Sequence, residues 1–162
     1  MNRIIILVFL GALFALTSCH DRSQDVQIKK AAAIHLKSAA KHDSIKTVVL
    51  ETRKMVEEKL SKEEIAANQQ SYKAMIRSLD KSLYLLETWE EDLVGVPGLE
   101  HDHADHKHDH QNDDILDDMS DSEILELQKA YSDRMDQIED KITEVIVTIQ
   151  LYSQNATTTA QE

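Results

Sequence analysis

The chain is short of the residues that make turns, sheets and crosslinks. Its 162 residues include three Gly, one Pro and one Cys, and only 4% are aromatic. So few turn formers and aromatic side chains cannot supply a β-sandwich or barrel, and an all-α fold is expected. One cysteine excludes an intrachain disulfide framework and a Cys-rich zinc module. Positive charge is scarce as well: 18 Lys and Arg face 30 Asp and Glu, a formal charge of −12. That sign repels phosphate backbones and anionic headgroups, which argues against nucleic acid as a partner. Beyond Gly11 only Gly95 and Gly98 remain, so there is no glycine-rich phosphate cradle, and neither a His-Glu-x-x-His helix nor a nucleophile elbow occurs. The carboxylate pairs Glu90-Glu91 and Asp113-Asp114 are adjacent residues, which point to different faces of a helix. No enzyme is expected.

What is present begins with an export pattern. Arg3 precedes an apolar or small run from Ile4 to Leu16, followed by Leu16-Thr17-Ser18-Cys19. The run would rise only about 20 Å as a helix against a hydrocarbon core of roughly 30 Å, so it reads as a signal and not a span. The four residues ending at Cys19 resemble the bacterial lipobox. That resemblance implies cleavage before Cys19 and acylation of its thiol: residues 1–18 as signal peptide, 19–24 as lipidated tether, and the membrane as a partner through the anchor. The residue after the cysteine is His20 and not the Asp that favours inner-membrane retention in enterobacteria. An outer-membrane lipoprotein facing the periplasm is therefore expected.

Residues 25–154 read as a three-helix domain. From Ser61, the spacing to Glu64 has the pattern of a capping box, with Leu60 and Ile65 as staple. Ile65, Tyr72, Leu79, Leu86 and Leu93 then recur every seven residues, with Met75, Ile76, Leu83 and Trp89 between them. Gly95 and Pro97 supply the stop. The same signals return at Ser120 and Glu123, with Met119 and Ile124 as staple. A stripe of Ile124, Gln128, Tyr131, Met135, Ile138, Ile142, Val145, Ile149 and Tyr152 follows. The two segments align at an offset of 59 residues, read as one start signal used twice at the same end of a bundle and not as a duplication. The first segment, about 25–60, carries Ile45, Val48, Val49, Thr52, Met55, Val56 and Leu60, and its earlier half is rich in Ala, Ser and His. Loose packing is expected there.

His35 and His42, one heptad apart, are about 10.5 Å apart along a helix, too far for one ion, and read as partly buried bundle residues. Met55, Met75, Met119 and Met135 read as packing and not a copper path. The fold expected is an antiparallel three-helix bundle or a helical hairpin, closed by a polar tail over 155–162. The junction at Leu60-Ser61 lacks Gly and Pro, so a continuous helix through it stays open as an alternative. Polar members of the stripes, Asn68, Ser82 and Gln128, leave room for an envelope partner or self-association.

The chemistry-bearing segment is the connection over 96–119, longer than an ordinary interhelical loop and expected to be flexible. Its centre is HDHADHKHDH. His101, His103, His106, His108 and His110 fall within ten residues, interleaved with Asp102, Asp105 and Asp109. Neutral imidazole ligates zinc, copper and nickel, and neighbouring carboxylates either ligate or orient the rings. A divalent transition metal, zinc first, is expected there as the bound cofactor. Two rival readings stand beside it. Residues 100–118 hold eight acids and one lysine, a net of −7, so the segment also reads as a solvated linker. Protonation of five imidazoles would largely cancel that charge, which is the behaviour of a proton switch.

The stretch Trp89-Glu90-Glu91-Asp92-Leu93-Val94-Gly95-Val96-Pro97-Gly98-Leu99-Glu100 runs into a His/Asp loop, behind a lipobox and ahead of a capped helix. In this arrangement the chain resembles a group of small uncharacterised helical lipoproteins of Bacteroidota, some of which carry the name viral A-type inclusion protein. The resemblance implies a helical envelope protein and transfers no catalytic residue. The loop alone is similar in character to the His-rich loops of periplasmic zinc-binding components of metal importers, whose domains this chain lacks.

Overall fold

The computed structural model describes residues 20–62, 66–99 and 113–159, with side chains over 26–62, 68–99 and 115–154. Three long helices account for most of them: α1 (His20–Lys62), α2 (Ala66–Asp92) and α3 (Asp121–Thr159), with a 3-10 helix (Asp113–Asp118) just ahead of α3. Among the described residues there is no strand.

Cross-helix contacts fix the topology. Lys46 pairs with Glu90 and Arg53 with Asp80, so numbers rise on α1 as they fall on α2 and the two are antiparallel. Trp89 donates its indole N–H to the Tyr131 carbonyl, and the Tyr152 hydroxyl meets Asn68, so α2 and α3 are antiparallel as well. His35 meets Gln128 and Lys41 meets Asp136, which makes α1 and α3 parallel. The result is the expected antiparallel three-helix bundle.

The three helices differ in length. α1 has 43 residues, α2 27 and α3 39. α1 already begins at His20, so residues 20–24 are helical, and α3 runs to Thr159, into the residues expected as a polar tail. Ser61 is not an N-cap: it lies in the last turn of α1, and its hydroxyl donates back to the Glu58 carbonyl at 2.8 Å. Lys59 and Lys62 in the same turn sit favourably against the negative end of the helix. The other half of that expected signal, Glu64 and Ile65, lies outside the described residues. Since α2 and α3 run in opposite directions, they also start at opposite ends of the bundle, and their matching start patterns do not mark a common end.

The second start signal holds. Ser120 precedes α3, its carbonyl accepts the first helical hydrogen bond from Ile124 N at 3.0 Å, and its own N–H donates to Glu123 at 2.7 Å. The Ser120 hydroxyl donates to the same carboxylate at 2.6 Å. These two bonds hold the Glu123 carboxyl below its ordinary pKa.

α2 ends without a left-handed Gly95. Leu93, Val94 and Val96 leave the helix as buried chain, and the reversal comes later, where Leu99 N donates to the Val96 carbonyl at 3.0 Å. Gly98 takes φ of 74° in that turn, behind Pro97, the pattern of a type II turn. Asp92 is tied down from α3: its carbonyl accepts the Tyr131 hydroxyl at 2.6 Å and its carboxylate the Arg134 guanidinium at 2.6 Å.

The core divides in two along the axis. The larger cluster joins Val49 and Val56 of α1, Tyr72, Leu79, Leu86 and Trp89 of α2, and Met135, Ile138, Ile142 and Ile149 of α3. A smaller one, at the end where α1 begins, joins Ala31, Val96 and Ile124 with Ile28, Leu99, Leu116 and Met119. Val48 and Met55, expected on the α1 stripe, are exposed instead, because the seam of α1 is narrower than the seven positions assigned to it. The other three methionines pack as expected, with Met135 fully buried.

Candidate functional site

The His/Asp segment, His101, Asp102, His103, Asp105, His106, His108, Asp109 and His110, lies outside the described residues, and so does Cys19. Its flanks are described. Leu99 on one side and Leu116 and Met119 on the other pack against the same cluster, with Ala31 and Ile28 of α1. The described flanks on both sides therefore pack on the bundle where α1 begins. From Ile28 back to His20 the helix continues for eight residues, about 12 Å at the helical rise. Among the described residues no group of three or more His, Cys, Asp or Glu is arranged to hold a metal ion. No described helix is long and apolar enough to cross a membrane.

Between the two apolar clusters lies a polar layer that the sequence marked only in part. On the inner seam of α1, Ala31, His35, Ser38, Ala39 and His42 are all buried, and His35 is fully so. His35 Nδ1 lies 3.1 Å from Gln128 Oε1. The Gln128 amide nitrogen in turn donates to the carbonyls of Val94 at 2.8 Å and Gly95 at 3.2 Å. One buried glutamine therefore ties together α1, α3 and the chain leaving α2. The carbonyls it satisfies are those that α2 can no longer use, since the helix has ended. With its oxygen fixed by that arrangement as the acceptor, Gln128 selects the His35 tautomer with its proton on Nδ1.

His42, one heptad on, stacks on Trp89 at 5.4 Å between ring centres and 19° between planes. Its Nδ1 lies 3.0 Å from Asp43, and its Nε2 3.6 Å from Glu90, which also takes Lys46 at 3.1 Å. Lys41 reaches Asp136 at 2.7 Å and Glu139 at 2.5 Å, and these hydrogen bonds raise its pKa. Trp89 is thus a core residue, as expected, while Tyr84 stands 65% exposed.

Sequence reasoning placed both histidines on one helical line and read them as bundle residues, which the structure bears out; they are more deeply buried than expected. It missed the partner. Gln128 was legible only as a polar member of an apolar stripe, and with Asn68 and Ser82 it was read as room for an outside helix. All three hold hydrogen bonds inside the bundle as well: Asn68 accepts from the Tyr152 hydroxyl at 3.4 Å and Ser82 donates to the Ser78 carbonyl at 3.1 Å. The α3 register needed to pair residue 128 with residue 35 is set by tertiary packing, not by local pattern.

Comparisons with protein-family models, with curated proteins and with solved structures find no match to this chain. The residues and their placement carry the functional reading.

Proposed function

We propose that this chain is a cell-envelope lipoprotein, anchored through Cys19 in the outer membrane and facing the periplasm, whose His/Asp segment binds a divalent transition metal. Zinc is the leading ion, with copper and nickel as alternatives. The ligands are His101, His103, His106, His108 and His110; Asp102, Asp105 and Asp109 ligate beside them or accept the second ring N–H. The observation that carries the reading is the density of imidazole, five histidines in ten residues. The packing of the flanking residues Leu99, Leu116 and Met119 at the end of the bundle where α1 begins supports a site on the anchored side.

Binding costs roughly 1–2 kcal/mol of backbone entropy for each residue it orders. Affinity is then moderate and exchange fast, which suits buffering, capture or delivery better than permanent retention. Calorimetric titration of zinc into the full chain in detergent tests the reading, beside a variant with the five segment histidines changed to Ala. Saturable uptake in the native chain, lost in the variant, is the expected result; equal heats in both would remove the segment as the site. The second reading, a helical spacer or adaptor with the segment as linker, draws on the face formed by α2 and α3.

A further inference from the structure

α2 and α3 leave a groove of about 440 Å³ between them, lined by Ser71, Ala74 and Ser78 on α2 and by Val145, Thr148 and Tyr152 on α3. It lies toward the end of the bundle opposite the His/Asp flanks. From Val145 to Thr159 α3 carries no charged residue, and Val147 and Leu151 stand exposed on its outer side. In a chain with a charge of −12, an uncharged surface with projecting apolar side chains is where a second copy meets the least repulsion.

The groove's two edges are charged, and with opposite sign. All the basic residues of α2, Lys73, Arg77 and Lys81, recur at steps of four along one outer edge and are exposed. The α3 edge carries Asp140 and Glu144, also exposed, with Lys141 leaving it net negative. Among the described residues none of Lys73, Arg77, Lys81, Asp140 and Glu144 has an ion-pair partner within the chain. The contacts of Tyr72 with Tyr152 and of Trp89 with Tyr131 set the levels along the axis. Interpolated between them, Arg77 stands level with Glu144 and Lys81 with Asp140, to within one turn.

We propose that a second copy of this chain docks on the α2/α3 face about a two-fold axis parallel to the helices. That axis lays α2 of each copy over α3 of the other at the same level, so Arg77 meets the partner's Glu144 and Lys81 the partner's Asp140, each pair occurring twice. Thr148 then stands level with the partner's Ala74, both in the groove lining. A two-fold perpendicular to the helices would lay α2 on α2 and oppose the basic rows. The parallel arrangement also leaves both copies of α1 starting at the same end, so two lipid anchors could enter one membrane. The interface is isologous, each copy offering both halves of the contact.

Sedimentation equilibrium of the full chain in density-matched detergent is the test. The expected result is a dimer that Arg77→Glu weakens about tenfold and that the added change Glu144→Arg largely restores, because two exposed pairs are lost and regained. A monomer at every concentration, or a dimer indifferent to Arg77→Glu, would overturn it. Mixing Ala74→Cys chains with Thr148→Cys chains under oxidation gives a second readout, with the parent chain as control for Cys19. Mixed disulfides are expected; a predominance of Ala74→Cys homodimers would overturn the parallel axis.

Discussion

The two ends of the bundle share one helical repeat and differ in what fills it. Away from the His/Asp flanks, the seam is aliphatic and aromatic: Val49 and Val56 against Leu79, Leu86, Ile142 and Ile149, all essentially without exposure. Toward the flanks the α1 seam turns to Ala31, His35, Ser38 and His42, equally buried but small or polar. Large apolar side chains contribute roughly 1.5–3 kcal/mol each on burial and tolerate sliding; a buried imidazole and amide contribute little net energy but fit only one arrangement. The lesson of the difference is a division of labour. The larger apolar cluster holds the bundle together, and the polar layer fixes the register in which α1, α3 and the chain leaving α2 meet.

That contrast can be broken from either side. The largest effect is expected at the apolar end, where Leu86→Ala should cost about 3 kcal/mol in chemical denaturation by removing buried methyls and leaving a cavity. In the polar layer Gln128→Leu should cost about 2 kcal/mol, mostly through the lost hydrogen bonds to the Val94 and Gly95 carbonyls and the His35 ring. His35→Leu and Gln128→Leu together should cost less than the sum of the two single changes, a coupling read directly in a double-mutant cycle. Additive costs would mean the pair is not one unit.

Smaller effects come from the groups that secure the helix ends. Tyr131→Phe should cost about 1 kcal/mol by freeing the Asp92 carbonyl. Burial first, and the nearby Asp92 second, raise the Tyr131 pKa above its ordinary value. Its contribution is therefore complete below the ordinary tyrosine range and lost as pH rises through the raised value, so the native chain should lose stability at alkaline pH more steeply than the Phe variant. Glu123 has the opposite sign. Its carboxyl is lowered by the Ser120 hydroxyl and then by the Ser120 N–H, so its contribution is present above the ordinary carboxylate range and lost as pH falls through the lowered value. Denaturation midpoints at neutral and acid pH should converge in Glu123→Gln relative to the native chain; an unchanged difference would remove the cap from the account.

How much of this the sequence carried follows the same division. The stripes of α2 and α3 were legible because large aliphatics recur every seven residues, and every described member of both is buried or half-buried. The start of α2 was not, although Ser61-x-x-Glu64 and Ser120-x-x-Glu123 are the same pattern. A local signal cannot tell whether its serine opens one helix or closes the one before, and here Ser61 is satisfied backward by Glu58 while Ser120 faces Glu123 forward. The polar layer was half legible: a heptad spacing shows His35 and His42 on one line, but Gln128 is 93 residues from His35 and only packing brings them together. Within the connection expected over 96–119, Val96 to Leu99 form a turn and Asp113–Asp118 a 3-10 helix, which no local pattern marked.

Apart from His20, the eight histidines divide on the proposed function into five that would take metal and two, His35 and His42, buried in the bundle. Side-chain 15N-correlated NMR of the histidine rings during zinc addition to the full chain in detergent micelles tests this division most directly. The account predicts that five imidazole signals move or broaden together at low zinc while His35 and His42 stay in place. Five signals indifferent to zinc, or movement of His35 and His42 with the rest, would contradict it.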